Sequence, residues 1–196
     1  MIFDLRPKSI GITRDQVWAA WKRIKQGGKG VGIDNVTIEK IEKNPRKYLY
    51  PVWNRMASGS YFPSAVREVS IRKANGKERM LGIPTICDRV AREVIRAELE
   101  EELEPHFHPS SYGYRPGKSA HQALEACAKN CWERWYIVDV DIKGFFDNID
   151  HAKMMGMLRK YTPKKHILLY CERWLKAPVL RIKGEMDTNR INGSRH

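Results

Sequence analysis

Residues 135–151 read WYIVDVDIKGFFDNIDH, an almost unbroken apolar and aromatic run that passes directly into carboxylates. A run this short and apolar is expected to be a strand covered on both faces. Trp135–Val140 is therefore predicted to be central and buried, with Asp139 and Asp141 delivered to its end. Alternate residues of a strand share a face, so these two carboxylates would point the same way. Two such charges repel unless a cation or a basic group sits between them. The segment thus points to cation binding, and the plainer reading is a strand-end turn in which Asp147 caps the next helix.

The elements around this strand carry local signals of their own. Thr13 and Gln16 have capping-box spacing ahead of a helix whose apolar face is Val17, Ala20, Trp21 and Ile24, and Gly27-Gly28 ends it. Residues 36–57 read as one or two helices interrupted at Pro45 and Pro51. From Ala65 the pattern turns to alternation, with Val66, Val69 and Ile71 against Arg67, Ser70 and Arg72, and Asn75-Gly76 makes a hairpin turn. A long helix runs from Asp88 to about Glu104 and stops at Pro105. A loop, HPSSYGYRPGKS, leads to a second capping box, Ser119 with Gln122. Short helices come next over about 150–160 and 163–176, with a further strand near Val179–Lys183, and the polar tail TNRINGSRH reads as a frayed end.

Charge narrows the partner. Lys and Arg number 36 against 23 Asp and Glu, a net charge of +13, so the default ligand is a polyanion, with a merely solubilising basic surface as the alternative. No stretch has the length and apolarity of a membrane span, and the N-terminus lacks an apolar signal core, so a soluble, unsecreted protein without a membrane partner is expected. Cys87, Cys127, Cys131 and Cys171 lack framework spacing and suit a reducing compartment as buried free thiols. Cys127 and Cys131 have no matching pair to complete a tetrahedral metal set.

Three blocks, in order, carry a family resemblance. SYFPSAVREVSIRKANGKERMLGIPTICDRV resembles the fingers hairpin of reverse transcriptases, SSYGYRPGKSAHQAL the motif after it, and DIKGFFDNIDH the first catalytic motif, with the wording of group II intron-encoded reverse transcriptases and maturases. The resemblance implies an α+β fold: a helical N-terminal extension over 1–60, fingers over 61–118, and a partial palm over 119–196 built on an antiparallel sheet. The implied activity is RNA-directed DNA polymerisation, with intron RNA as template, a DNA primer or target, dNTPs as substrates and Mg²⁺ as cofactor, in a cytoplasmic bacterial ribonucleoprotein.

The resemblance also implies roles, position by position. Asp141 would bind both Mg²⁺ ions, because this chemistry needs oxygen ligands from closely placed carboxylates. The backbone at Ile142 and Lys143 would lie along the triphosphate. Phe146 would press beneath the sugar and exclude a ribose 2′ hydroxyl, with Phe145 as substitute. Lys73 and Arg79 would clamp the triphosphate, offsetting charge on the phosphates during displacement; otherwise they are solvated hairpin charges. Tyr112, Arg115 and Lys118 would contact RNA, unless a tyrosine of this loop packs inward. The surplus cations Lys22, Arg23, Lys25 and Lys29 suit a backbone-tracking groove.

The family's second catalytic motif, an aromatic-x-Asp-Asp turn, has no counterpart in these 196 residues. The expectation is a chain cut before that motif, inactive by itself, with an uncovered apolar palm face through which a homodimer could form. Two rivals stay open: a nonenzymatic RNA-binding or self-associating module derived from such an enzyme, and a bacterial reverse transcriptase outside the intron group.

Overall fold

In a computed structural model of the chain, the residues described are 10–28, 30–72, 76, 78–180 and 186–187. They form a mixed α+β structure with one small sheet, in two compact units. One unit lies within Met1–Leu99 and Asp150–His196, the other is Glu100–Ile149.

The first unit begins with α1 (Arg14–Ile24), whose Thr13 capping box is fully made: the Gln16 amide donates to Thr13 Oγ1 at 3.2 Å and Gln16 Oε1 accepts from the Thr13 amide at 2.7 Å. Val17, Ala20 and Trp21 are buried, as the apolar spacing predicts. Next come α2 (Ile38–Lys43) and α3 (Pro45–Ala57). Pro45 occupies the first turn of α3, where its missing N–H costs nothing. Pro51 lies inside α3 and does not break it. Leu49, Val52 and Met56 are buried on either side of it, and that packing outweighs one lost hydrogen bond on a half-exposed position.

Strands β1 (Val66–Arg72) and β2 (Glu78–Ile83) pair antiparallel, from Arg67 opposite Ile83 to Arg72 opposite Glu78. Gly76 has φ +77°, the left-handed conformation an Asn-Gly turn requires, while Asn75 lies outside the described residues. The expected apolar positions of β1 are covered only in part, with Val66 and Val69 half-buried. Glu68 is buried and Ile71 is 48% exposed. Strand β3 (Val179–Leu180) joins β1 in parallel and β4 (Met186–Asp187) pairs with β3, giving the order β2-β1-β3-β4. The sheet is therefore mixed rather than antiparallel, and it does not contain Trp135–Val140.

Helix α4 (Ile86–Leu103) runs through the core on Ile86, Val90, Ala91, Val94 and Ile95, and a 3₁₀ turn at Glu104–His106 holding Pro105 comes after it. Its first turn is a polar hub. Buried Asp88 accepts hydrogen bonds from the Tyr61 hydroxyl, from Thr85 Oγ1 at 2.6 Å and from the Ser64 amide at 3.2 Å. Burial, then the Asp88 charge, pushes the Tyr61 hydroxyl far above its ordinary range, so the phenol stays a donor. Helices α6 (His151–Tyr161) and α7 (Lys165–Leu175) complete the unit. Glu98 of α4 accepts from Gln16 of α1 at 3.0 Å and pairs with His166 of α7 at 2.8 Å, and the Tyr170 hydroxyl donates to the Met56 carbonyl at 2.6 Å.

The second unit consists of the end of α4 from Glu100 onward, the 3₁₀ turn, a loop, α5 (Ala120–Glu133) and the segment 134–149. The Ser119–Gln122 capping box is made, yet no residue of α5 is buried. Among the described residues no helix is long and apolar enough to cross a membrane.

Candidate nucleic-acid and nucleotide site

The loop before α5 is organised by Arg115. Its Nε and Nη2 donate to Glu104 Oε1 at 3.0 and 2.8 Å, and Nη1 donates to the carbonyls of His108 and Ser111 at 2.8 and 2.9 Å. The guanidinium also stacks 5.2 Å from the Phe107 ring centroid, and the side chain is only 10% exposed. The planar fork of Arg115 is thus engaged by the loop's own acceptors. Lys118 donates to the Pro109 carbonyl at 3.2 Å and lies 5.0 Å from the Tyr112 ring, so these two sequence-predicted residues are brought together and both stay partly exposed. Between them the chain turns out at Tyr114, fully exposed at 108% with φ +55°. The motif does not single out Tyr114. A non-glycine residue with positive φ at a loop apex offers its ring to solvent rather than to a core.

The carboxylate segment differs most from expectation. Residues 135–142 form no strand, and Trp135, Ile137, Val138 and Val140 are all at least 71% exposed. A central strand needs a neighbour on each edge, and among the described residues none pairs with this segment. Asp139 and Asp141 therefore do not share a strand face here, and both lie on exposed extended chain.

Beyond it the chain makes a hydrogen-bonded turn. Gly144 has φ +62°, and the Asp147 and Asn148 amides both donate to its carbonyl at 3.1 Å, joined by Asn148 Nδ2 at 2.8 Å. Phe145 and Phe146 meet edge to face at 5.4 Å, 50% and 84% exposed. Asp150, not Asp147, caps α6: its Oδ1 accepts from the Ala152 and Lys153 amides at 2.8 and 3.0 Å. The Lys153 amide bond, chiefly, holds the Asp150 carboxyl below its usual range.

The cationic residues of the hairpin are less defined. Lys73 lies outside the described residues. Arg79 is placed by its backbone opposite Ile71 in the β1–β2 ladder, and its side chain lies outside the described part. Carboxylate oxygens are the right donors for a hard divalent cation. Even so, among the described residues no three His, Cys, Asp or Glu side chains gather to hold a metal. Cys127 is exposed and none of the four thiols is fully buried, which corrects the expected buried cysteines.

Several known proteins are similar to this chain. The family model for reverse transcriptase (RNA-dependent DNA polymerase) matches residues 71–195. The group II intron-encoded protein LtrA of Lactococcus lactis subsp. cremoris is 35% identical over 148 residues, covering 75% of this chain and 23% of LtrA. Protein YkfC of Escherichia coli strain K12 is 30% identical over 175 residues, covering 85% of this chain and 46% of YkfC. Nuclear intron maturase 1, mitochondrial, of Arabidopsis thaliana is 29% identical over 99 residues, half of this chain and 14% of that protein. The chain thus spans less than half the length of each of these relatives.

Proposed function

The chain belongs to the reverse transcriptases, of the group II intron-encoded kind, and from that premise we propose that it supplies the nucleotide- and template-facing part of an RNA-templated DNA polymerase acting on intron RNA. The observation that carries the reading is the segment DIKGFFDNIDH, which falls inside the family match. It also folds into a turn that leaves Asp141, Lys143, Phe145 and Phe146 open to a ligand.

In this reading Asp141 contributes one carboxylate toward the divalent cation that reverse transcriptases use, Mg²⁺ being the expected ion, with the remaining ligands coming from beyond the described residues. The backbone of Ile142 and Lys143 lies along the dNTP triphosphate, Phe146 packs beneath its sugar with Phe145 behind it, and Lys73 and Arg79 neutralise the phosphates. Tyr112 and Lys118 meet the RNA template, and Arg115 keeps their loop in shape. The division into N-terminal extension, fingers and palm is part of the same proposal, as is self-association through the exposed apolar segment 135–142.

Primer extension on an RNA template with dNTPs and Mg²⁺ tests this, with the chain alone and joined to a segment bearing an aromatic-x-Asp-Asp motif. Synthesis by the joined protein that Asp141→Ala abolishes is the expected result, and synthesis that survives Asp141→Ala refutes the assignment. A second reading, RNA binding in the service of intron splicing without polymerisation, is favoured by the +13 charge and by the likeness to a nuclear intron maturase. It is supported if RNA is bound but no primer is extended.

A further inference from the structure

Outside the family match, α1 and α3 enclose a groove of about 650 Å³, within the range of small-ligand sites. Its walls carry Trp18 from α1 and Tyr50 and Trp53 from α3, with Arg14 and Arg46 also lining it. Trp53 is a fixed floor: its Nε1 donates to the Ile12 carbonyl at 3.1 Å, and the Arg14 guanidinium stacks 4.3 Å from its ring centroid. Tyr50 leans on that floor, its ring 5.4 Å from the Trp53 ring and 5.8 Å from the Arg14 guanidinium, and Trp18 lines the groove with them, both keeping a free polar edge. Each is 45% exposed, and among the described residues neither the indole N–H nor the phenol hydroxyl is hydrogen-bonded within the protein. Trp18 sits beside buried Val17 but off the apolar face of α1, so helix packing does not account for it.

We propose that this groove binds one unpaired nucleotide, its base stacked on Trp18 and Tyr50 and its phosphate held by Arg14 and Arg46. Aromatic faces accept any base by stacking, and a guanidinium already stacked on a ring extends the platform. Charge selects a nucleotide over other flat or proline-rich ligands. Two arginines line the groove against one acid, Asp15, and the first turns of both helices line it too, adding the positive ends of two helix dipoles. Among the described residues the Asp15 carboxylate has no hydrogen-bond or ion-pair partner, so it can accept from a base amino group or a ribose hydroxyl. The inference rests on the RNA-binding part of the proposed function and on none of its polymerase chemistry.

The test uses the full 196-residue chain and a single-stranded oligoribonucleotide with 2-aminopurine at one position, with a fully paired duplex as control. Fluorescence of the base is expected to be quenched on binding to the single strand. Trp18→Ala and Tyr50→Ala should each weaken that binding at least about fivefold, Trp18→Phe should restore most of it, and duplex binding should not change. AMP is the second arm. Competition by AMP at concentrations comparable to the oligonucleotide identifies a free-nucleotide site, and competition only at vast excess identifies a base within RNA; either supports the groove. Unchanged affinity and quenching in both alanine variants overturns it, as does displacement by a proline-rich peptide but not by nucleotides. If the groove variants are silent while Lys118→Ala weakens RNA binding, the groove inference fails and the RNA-binding function stands. If the groove variants weaken binding yet the joined protein never extends a primer, the polymerase proposal fails and the groove stands.

Discussion

Replacing Arg115 separates two roles for an arginine in a basic, aromatic loop. Its side chain is 10% exposed and donates four hydrogen bonds, two to the Glu104 carboxylate and one each to the carbonyls of His108 and Ser111. Bonds to charged groups are worth about 1.5–3 kcal/mol each when buried, and Glu104 is 30% exposed, so its share must be discounted for solvent. Arg115→Ala should then cost the loop about 2–4 kcal/mol of local stability. Tenfold in an equilibrium is about 1.4 kcal/mol, so amide exchange within 107–118 should accelerate roughly 30- to 1000-fold, up to the stability of the unit itself. The Ser111 amide, which donates to the His108 carbonyl at 2.9 Å, is the natural reporter. Arg115→Lys should not rescue it, because a single ammonium cannot satisfy Glu104 and two carbonyls in that plane. A direct phosphate contact would behave otherwise, lowering the slope of log affinity against log salt by about 0.7 and leaving exchange alone. Unchanged exchange together with the reduced slope would refute the structural role.

Packing and burial set two further outcomes. A Cβ on Gly32 would lie 2.6 Å from Thr85 Cα and 2.7 Å from its amide nitrogen, both backbone, whereas Gly28 has nothing within 4 Å. Gly32→Ala should therefore destabilise by about 1–3 kcal/mol in a denaturant melt and Gly28→Ala by much less; equal effects would contradict the geometry. Burial pushes the Cys87 thiol from 9.0 up to about 12. The folded state then holds a proton that the unfolded chain releases, so stability is intact below about pH 9 and declines as pH rises from there toward about 12. Cys87→Ala should flatten that decline in melts across the alkaline range. A matching check is iodoacetamide labelling near pH 8, which should modify exposed Cys127 well before Cys87.

Much of the fold is legible in the sequence because its signals act over a few residues. The Thr13–Gln16 box, the glycine of the Asn-Gly turn and the stop at Pro105 specify conformations through their own backbone and nearest neighbours. The features that escape such a reading depend on distant partners. Pro51 stays helical because Leu49, Val52 and Met56 are buried around it, and α3 is held by that face. Glu68 is buried while Ile71 is open, a departure that alternation alone cannot reveal. Arg115 reads from its motif as a ligand-facing cation, yet Glu104, eleven residues earlier, takes its fork. Tyr114 and Trp18 share a signal that the sequence does carry: each is an aromatic residue placed off any buried face.

The same distinction governs the candidate site. Apolarity says that Trp135–Val140 gains by being covered, and nothing in the run says by what, so strand formation waits on a partner edge. The turn at Gly144–Asn148 needs no such partner, since its hydrogen bonds close within five residues. Its geometry is therefore fixed locally, whereas the placement of Asp141 against other carboxylates is not. Arg79 and Asp141 also belong to different compact units. The case for their shared role rests on motif order along the chain, and the charge-removal test at Asp141 is the measurement that converts that order into chemistry.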